Sequence, residues 1–201
     1  METSIFNIQN QQEFTALSLA VFKHQFKNNK VYRSFCDLLF VHPSSISTIE
    51  EIPFLPIQFF KSRDVLSSLA EVQEIFTSSG TTGSSTSKHL VTDITLYKES
   101  YLKGFSHFYG NIEEYTILAL LPNYLEREGS SLVFMVADLI QKSKKPESGF
   151  YLDNMQELAE KLTELDKTGQ KTLLIGVSFA LLDLIEMQQF NLKNTIIMET
   201  G

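Results

Sequence analysis

The sequence predicts an α/β fold in which a helical N-terminal segment packs on a mostly parallel β-sheet flanked by helices. Apolar side chains recur at helical spacing through the first 70 residues, and short apolar runs alternate with helix-like stretches after them. Hydrophobic residues make up 43% of the 201-residue chain, which is enough for a sizeable core. We expect a helical segment over residues 1–70 and an α/β portion over residues 71–201, joined in one continuous domain.

Two helices and a proline-rich break are predicted in the N-terminal segment. Three early apolar side chains share one face at helical spacing, namely Phe14, Leu17 and Val21. Residues 31–40 form a second apolar-rich helix candidate. Two prolines within residues 52–57 favour an extended chain, after which residues 58–69 are predicted to return to helix.

Strands and helices alternate through the rest of the chain, which favours a parallel sheet. The strand candidates are residues 72–77, 89–92, 115–121, 172–177 and 195–198. The helix candidates are a helix capped by Asp93, residues 129–142, a helix from a capping box at 153–156 to about Gly169, and residues 179–188. Residues 142–149 are predicted to form a polar loop.

Residues 77–88 are the segment best suited to chemistry. Nine of these twelve side chains carry hydroxyls, Gly80 and Gly83 allow a close backbone approach, and Lys88 supplies a cation. The lysine does not follow a glycine as a Walker loop requires, and the glycines do not match the dinucleotide fingerprint. Residue chemistry therefore leaves two interpretations open, a phosphate-binding loop and a flexible polar linker.

Composition narrows the class of protein. A net charge of −7 argues against broad nucleic-acid binding. One cysteine cannot form an internal disulfide, and neither a signal peptide nor a membrane span is recognisable. We therefore expect a soluble, cytoplasmic protein.

Three further candidates have structural interpretations. Cys36 lies in an apolar helix candidate, where a buried structural role is expected. His89 adjoins the loop and is expected to be a surface strand residue, although a contact with phosphate or a carboxylate is an alternative. The aromatic side chains of residues 97–108 are expected to belong to the core rather than to an acyl tunnel.

No histidine shows the spacing of a zinc ligand, so no resident metal site is expected in the chain itself.

The order of residues in the loop resembles a known family. Ser79-Gly-Thr-Thr-Gly83 followed by Lys88 resembles the phosphate loop of the adenylate-forming superfamily. The segments 52–61, 121–132, 149–151 and 175–182 narrow the resemblance to the LuxE family of acyl-protein synthetases. The resemblance runs from about residue 50 to the last residue.

The resemblance implies a ligase that uses ATP and Mg²⁺. A fatty acid or another hydrophobic carboxylate would become an acyl-adenylate, and the acyl group would pass to a thiol of an acceptor protein or coenzyme A. Lys88 would be the catalytic cation that offsets charge on the phosphates. The implied nucleotide-binding residues are Ser78, Ser79, Gly80, Thr81, Thr82, Gly83, Ser84, Glu199, Thr200 and Gly201.

Residues 199–201 resemble the start of a Glu-Thr-Gly-Gly segment of the family, cut after its first glycine. We therefore expect the chain to be the N-terminal portion of a longer ligase. The alternatives are a non-catalytic binding module and an adenylate-forming ligase that uses coenzyme A or an amine as acceptor.

Overall fold

The chain folds into two units in the computed structural model, Met1–Ser100 and Tyr101–Gly201. The structure describes residues 5–78, 86–122, 128–152 and 154–200. Helices and a four-stranded parallel sheet confirm the predicted α/β class. The sequence-based division at residue 70 stays a prediction.

Two helices organise the first unit, α1 (Gln11–Asn28) and α2 (Lys30–Leu38). Asn29 joins them, because its backbone N–H donates to the carbonyl of Gln25 at 2.8 Å and its side chain accepts from the N–H of Tyr32 at 3.0 Å. One residue thus ends α1 and begins α2. The two helices bury a small core made of Phe22, Phe26, Tyr32 and Cys36.

The predicted helix over residues 58–69 is wrong for most of its length. Only α3 (Phe59–Ser62) forms, and Arg63 already has an extended backbone. Past Asp64 the chain is rich in serine, and the Ser68 hydroxyl accepts from the N–H of Ala70 at 3.0 Å. Such local bonds between side chain and backbone compete with helix formation.

The strands on either side of the loop form a hairpin and do not join the parallel sheet. Strands β1 (Glu74–Thr77) and β2 (Lys88–Val91) pair antiparallel, with Thr77 opposite Lys88 and Phe76 opposite His89. The following helix, α4 (Ile94–Tyr109), begins where Asp93 accepts from the N–H of Thr95 at 2.9 Å, which confirms the predicted cap.

The aromatic stripe along α4 is only partly core. Phe105 is buried, with 6% of its surface exposed, whereas Phe108 is 76% exposed. The ring of Phe76 packs 5.1 Å from that of Tyr97. The expectation that the whole stripe is core is therefore wrong at Phe108.

The second unit is built on a parallel sheet in the order β4-β3-β5-β6. Its strands are β3 (Thr116–Leu120), β4 (Gly149–Tyr151), β5 (Thr172–Val177) and β6 (Thr195–Thr200). Both central strands, β3 and β5, are buried along their whole length and form the middle of the core. β4 begins at Gly149, the last residue of the stretch predicted as a polar loop, and the sequence does not predict this strand because three residues are too few to show strand alternation.

Three helices cover this sheet. They are α5 (Ser131–Ser143), α6 (Met155–Thr168) and α7 (Ser178–Met187), and a short 3₁₀ helix (Ile112–Glu114) precedes β3. α6 ends at Thr168, close to the predicted end near Gly169, and Gly169 caps it with a left-handed φ of 75°. The predicted N-cap Asp153 lies outside the described residues, and Asn154 stands at the N-cap position. No described helix is long and apolar enough to cross a membrane.

Candidate functional site

The base of the hydroxyl-rich loop is closed by two hydrogen bonds. The N–H of Ser78 donates to the carbonyl of Ser87 at 3.1 Å, and the N–H of Ser87 donates to Oγ of Ser78 at 3.0 Å. Because Oγ of Ser78 acts as an acceptor here, its own O–H remains able to donate to a ligand. The hairpin thus holds both ends of the loop at fixed points.

Lys88 is the first residue of β2 and lies at the C-terminal end of the loop. Its side chain is exposed, and within the described part of the chain no hydrogen bond or ion pair holds its ammonium group. An ammonium group free of carboxylate partners is suited to an anionic ligand. The other loop residues predicted to bind nucleotide lie outside the described residues, namely Ser79, Gly80, Thr81, Thr82, Gly83 and Ser84.

The second group of predicted residues lies at the carboxyl ends of β5 and β6. Ser178 donates its hydroxyl to Oε1 of Glu199, and the Thr200 hydroxyl donates to the carbonyl of Gly176 at 3.3 Å. Ligands of open parallel sheets bind outside the carboxyl ends of the strands. Glu199 and Thr200 therefore lie at the edge of the sheet where ligands of such folds bind, on the outer strand β6, while Gly201 is outside the described residues.

Gly176 allows a close approach between β5 and α7. A Cβ at this position would lie 2.7 Å from Cδ2 of Leu181, closer than real Cβ contacts. The glycine therefore leaves room for the Leu181 side chain of α7 against β5, and the pairing of Gly176 with Glu199 and of Val177 with Thr200 brings Ser178 beside Glu199. Sequence reasoning missed Ser178 as a site residue, although it lies in the segment 175–182 that carried the resemblance.

An apolar groove runs along α7 and the edge strand β6. Its volume is about 950 Å³, and Leu182, Ile185 and Ile197 are among its lining side chains. All three are more than half exposed. The groove borders the Ser178–Glu199 pair, both of which also line it.

A separate cavity of about 370 Å³ lies within the first unit. Its walls come from α1, from the proline-rich segment 52–55, from residues 60–67 and from the end of the hairpin. The Tyr32 hydroxyl donates to the carbonyl of Pro53 at 2.7 Å and so fixes the proline-rich wall. Sequence reasoning did not find this cavity, because its walls are far apart in the chain.

The environment of Cys36 confirms a structural role for this residue. Its side chain is fully buried beside Tyr32. Burial raises the pKa of the Cys36 thiol, against a smaller opposing effect of the hydrogen bond with Tyr32. Burial likewise raises the pKa of the Tyr32 hydroxyl. Both groups stay protonated at neutral pH, so Cys36 is not an activated nucleophile.

His89 is exposed on β2, as expected for a surface strand residue. Its imidazole stacks on the ring of Phe60, with centroids 5.5 Å apart and planes inclined by 2°. The same imidazole lines the cavity of the first unit. His89, the residue after Lys88, is therefore part of the wall of the cavity.

These features define an α/β protein with a clamped, hydroxyl-rich hairpin loop that ends in a lysine. The family model of LuxE, acyl-protein synthetase, matches residues 4–114, which is more than half of the chain. The chain belongs to this family. The match contains α1, α2, the cavity and the whole hairpin.

A curated relative has a more specific name. The long-chain-fatty-acid–luciferin-component ligase of Photorhabdus luminescens is 38% identical over 68 residues, which are 33% of this chain and 58% of that protein. The chain thus matches less than two thirds of the relative's length. No solved structure matches the chain.

Proposed function

We propose that this protein is an ATP-dependent acyl-adenylating ligase of the acyl-protein synthetase type. Its substrate would be a fatty acid or another hydrophobic carboxylate, activated as acyl-AMP and passed to a thiol. The observation that carries the proposal is the clamped loop between Ser78 and Lys88 inside the region matched by the family. The name of the ligase relative supports a fatty acid as substrate.

The proposed reaction has two steps whose atoms balance. A carboxylate oxygen forms a bond to the α-phosphorus of ATP, and the bond from that phosphorus to the bridging oxygen breaks, releasing pyrophosphate. A thiol sulfur then forms a bond to the acyl carbon, the thiol proton leaves to solvent, and AMP departs with the electrons of the acyl–oxygen bond.

The described residues fit a polyphosphate. Lys88 presents an exposed ammonium group, and Oγ of Ser78 accepts from the N–H of Ser87, so that among the described residues its O–H is left to donate. Lys88 would hold negative charge on the phosphates, and the amides and hydroxyls of residues 79–84 would bind their oxygens. A bound Mg²⁺ would supply further charge neutralisation on the phosphates.

At the sheet edge, Glu199 and Thr200 would contact the adenylate. Ser178 would hold the Glu199 carboxylate in one orientation through its hydroxyl.

Carboxylate-dependent exchange of labelled pyrophosphate into ATP tests the proposal. We expect exchange with fatty acids in the presence of Mg²⁺, and we expect Lys88→Ala to lower its rate by about 100-fold. The matched control is Lys193→Ala, which removes an exposed lysine of the second unit. If the protein binds ATP saturably but no carboxylic acid supports pyrophosphate exchange, the ligase proposal is wrong. That result would favour the alternative of a non-catalytic binding module. The mass of the acylated product separates a protein thiol, coenzyme A and an amine as acceptor.

A further inference from the structure

The cavity of the first unit has the properties of a site for an alkyl chain. Seven of its lining side chains are aliphatic or aromatic and only half-buried, namely Val21, Ile52, Leu55, Phe60, Val65, Leu66 and Leu90. No Asp, Glu, Lys or Arg is among the described lining residues. Its volume of about 370 Å³ falls in the usual range of small-molecule pockets, roughly 300–1,000 Å³.

Two of the polar side chains that line the cavity, those of Asn29 and Tyr32, are hydrogen-bonded within the protein, and the side chains of Gln25, Ser67, His89 and Thr92 line it as well. Asn29 is 4% exposed and uses its amide to donate to Oε1 of Gln25 at 3.2 Å, while the Tyr32 hydroxyl is used on Pro53. These groups are engaged with the protein itself. A ligand inside the cavity would therefore meet mainly apolar surface, which favours a chain without polar atoms.

His89 marks one side of the cavity. Its imidazole is exposed and lines the cavity, and it is held flat against Phe60. The next residue toward the loop is Lys88, the cation of the proposed active site. An imidazole N–H at this position can donate to a carboxylate oxygen.

We infer that this cavity binds the alkyl chain of the carboxylic acid substrate, with the carboxylate held beside His89. This inference rests on the proposed function, since it names the substrate's binding place in the same ligase. Hydrophobic burial of the chain against the half-buried side chains supplies the affinity. His89 follows Lys88 directly along β2, so the wall of the cavity begins one residue from the end of the loop, with the two side chains on opposite faces of the strand.

Binding of saturated fatty acids to the purified chain, without ATP, is the first part of the test. We expect affinity for octanoate, decanoate and dodecanoate to rise by about fourfold for each added CH₂ until the cavity is filled. Phenylacetate is the comparison ligand for an aromatic acid. Tighter binding of phenylacetate than of every fatty acid would overturn the assignment to an alkyl chain.

Leu66→Trp places a larger side chain in the cavity, and Leu69→Trp is its matched control. Leu66 lines the cavity, whereas Leu69 is fully exposed three residues further on. We expect Leu66→Trp to weaken dodecanoate binding by at least about tenfold and octanoate binding less, and Leu69→Trp to change neither. If Leu66→Trp does not fold, Val21→Phe fills the same cavity from α1.

His89→Phe keeps a ring on Phe60 and removes the N–H donors. We expect it to weaken binding of every acid by about tenfold, independent of chain length. Equal binding by the wild type, Leu66→Trp and His89→Phe would overturn the inference.

The inference and the proposed function fail in different ways. If pyrophosphate exchange depends on Lys88 and yet keeps the same chain-length preference in Leu66→Trp and Val21→Phe as in the wild type, the cavity does not bind the acyl chain. In that case the ligase proposal is unaffected. If the cavity variants alter fatty-acid binding as expected while no acid supports exchange, the ligase fails and the binding site stands.

Discussion

Ser178 donates its hydroxyl to the carboxylate of Glu199, and this contact links the first residue of α7 to the carboxyl end of β6. Both residues are exposed, so the bond contributes little to folding. In the proposed site at the carboxyl edge of the sheet, the bond would orient Glu199 for a ligand. Ser178 is thus a positioning residue in the proposed site.

Ser178→Ala removes the donor that orients Glu199. We expect the KM for ATP in pyrophosphate exchange to rise by about tenfold, because the carboxylate loses its fixed orientation. The melting temperature should stay unchanged, since the pair is exposed. Ser178→Thr should restore the KM, and Ser100→Ala, on the exposed side of α4, is the control. A KM unchanged in Ser178→Ala would argue against this orienting role.

The sequence predicts the two central strands β3 and β5 well because both are buried along their whole length. Residues 172–177 were predicted as a strand with the bounds that β5 has. The sequence predicts a loop between two strands over residues 77–88; the structure pairs the two flanking strands, β1 and β2, as a hairpin, and residues 79–85 lie outside the described residues. The sequence does not predict that β1 and β2 pair antiparallel, because the apolar pattern of a strand is the same in parallel and antiparallel sheets.

Features that depend on distant residues were not predictable. The cavity needs walls from α1, the proline-rich segment and β2, and the Ser178–Glu199 contact needs β5 and β6 side by side. Local patterns carry no information on such pairings. The helix predicted over 58–69 fails for a related reason, since Val65 and Leu66 have apolar character but line the cavity instead of a helix face.

Ser78→Ala tests the clamp at the base of the loop. The variant leaves the N–H of Ser87 without its acceptor on Oγ of Ser78. We expect the amide of Ser87 to exchange with deuterium about fivefold faster, corresponding to a hydrogen bond of about 1 kcal/mol. Ser87→Ala is the control, because both of its clamp contacts come from the backbone. Equal exchange rates in the wild type and Ser78→Ala would contradict the clamp.

Thr116 and Thr172 lie opposite each other in β3 and β5 and are both fully buried. The Thr172 hydroxyl donates to the carbonyl of Gln170 at 3.1 Å, whereas the Thr116 hydroxyl has no partner among the described residues. We expect Thr116→Val to raise the free energy of unfolding by about 1 kcal/mol and Thr172→Val to lower it by a similar amount. Urea denaturation of the two variants measures both. A loss of stability in Thr116→Val as large as that in Thr172→Val would refute this explanation.

Cys36 is the single cysteine of the chain, so its reactivity can be followed without interference. Burial raises the pKa of its thiol above the ordinary value of 9.0, and the native protein should not react with a disulfide reagent at pH 8. Unfolding in denaturant should release one reactive thiol per chain. Rapid reaction of the native protein would contradict the buried position.

The same burial predicts a loss of stability in alkali. A thiol with a raised pKa keeps its proton in the folded state while the unfolded chain loses it, so the unfolded state binds fewer protons above pH 9. The contribution of Cys36 to the free energy of unfolding should therefore be constant below pH 9 and should fall as the pH rises further. Cys36→Val, which lacks the titrating group, should show a shallower decline in denaturation curves between pH 8 and 10.5. If the free energy of unfolding declines equally in the wild type and in Cys36→Val, the loss of stability in alkali comes from titrating groups other than Cys36.

Asn29 is expected to contribute more to stability than the other asparagine cap of α1. Its buried side chain accepts from the N–H of Tyr32, whereas the exposed Asn10 accepts from the N–H of Glu13 at 2.9 Å at the start of α1. Asn29→Ala would leave the N–H of Tyr32 without its cap inside the first unit, at a cost of about 2 kcal/mol. Asn10→Ala should cost about 0.5 kcal/mol, because water replaces the lost acceptor. Asn29→Asp keeps the oxygen acceptor and should recover part of the loss. Thermal unfolding of the three variants gives the order, and a larger loss in Asn10→Ala than in Asn29→Ala would show that Asn29 does not hold the α1–α2 junction.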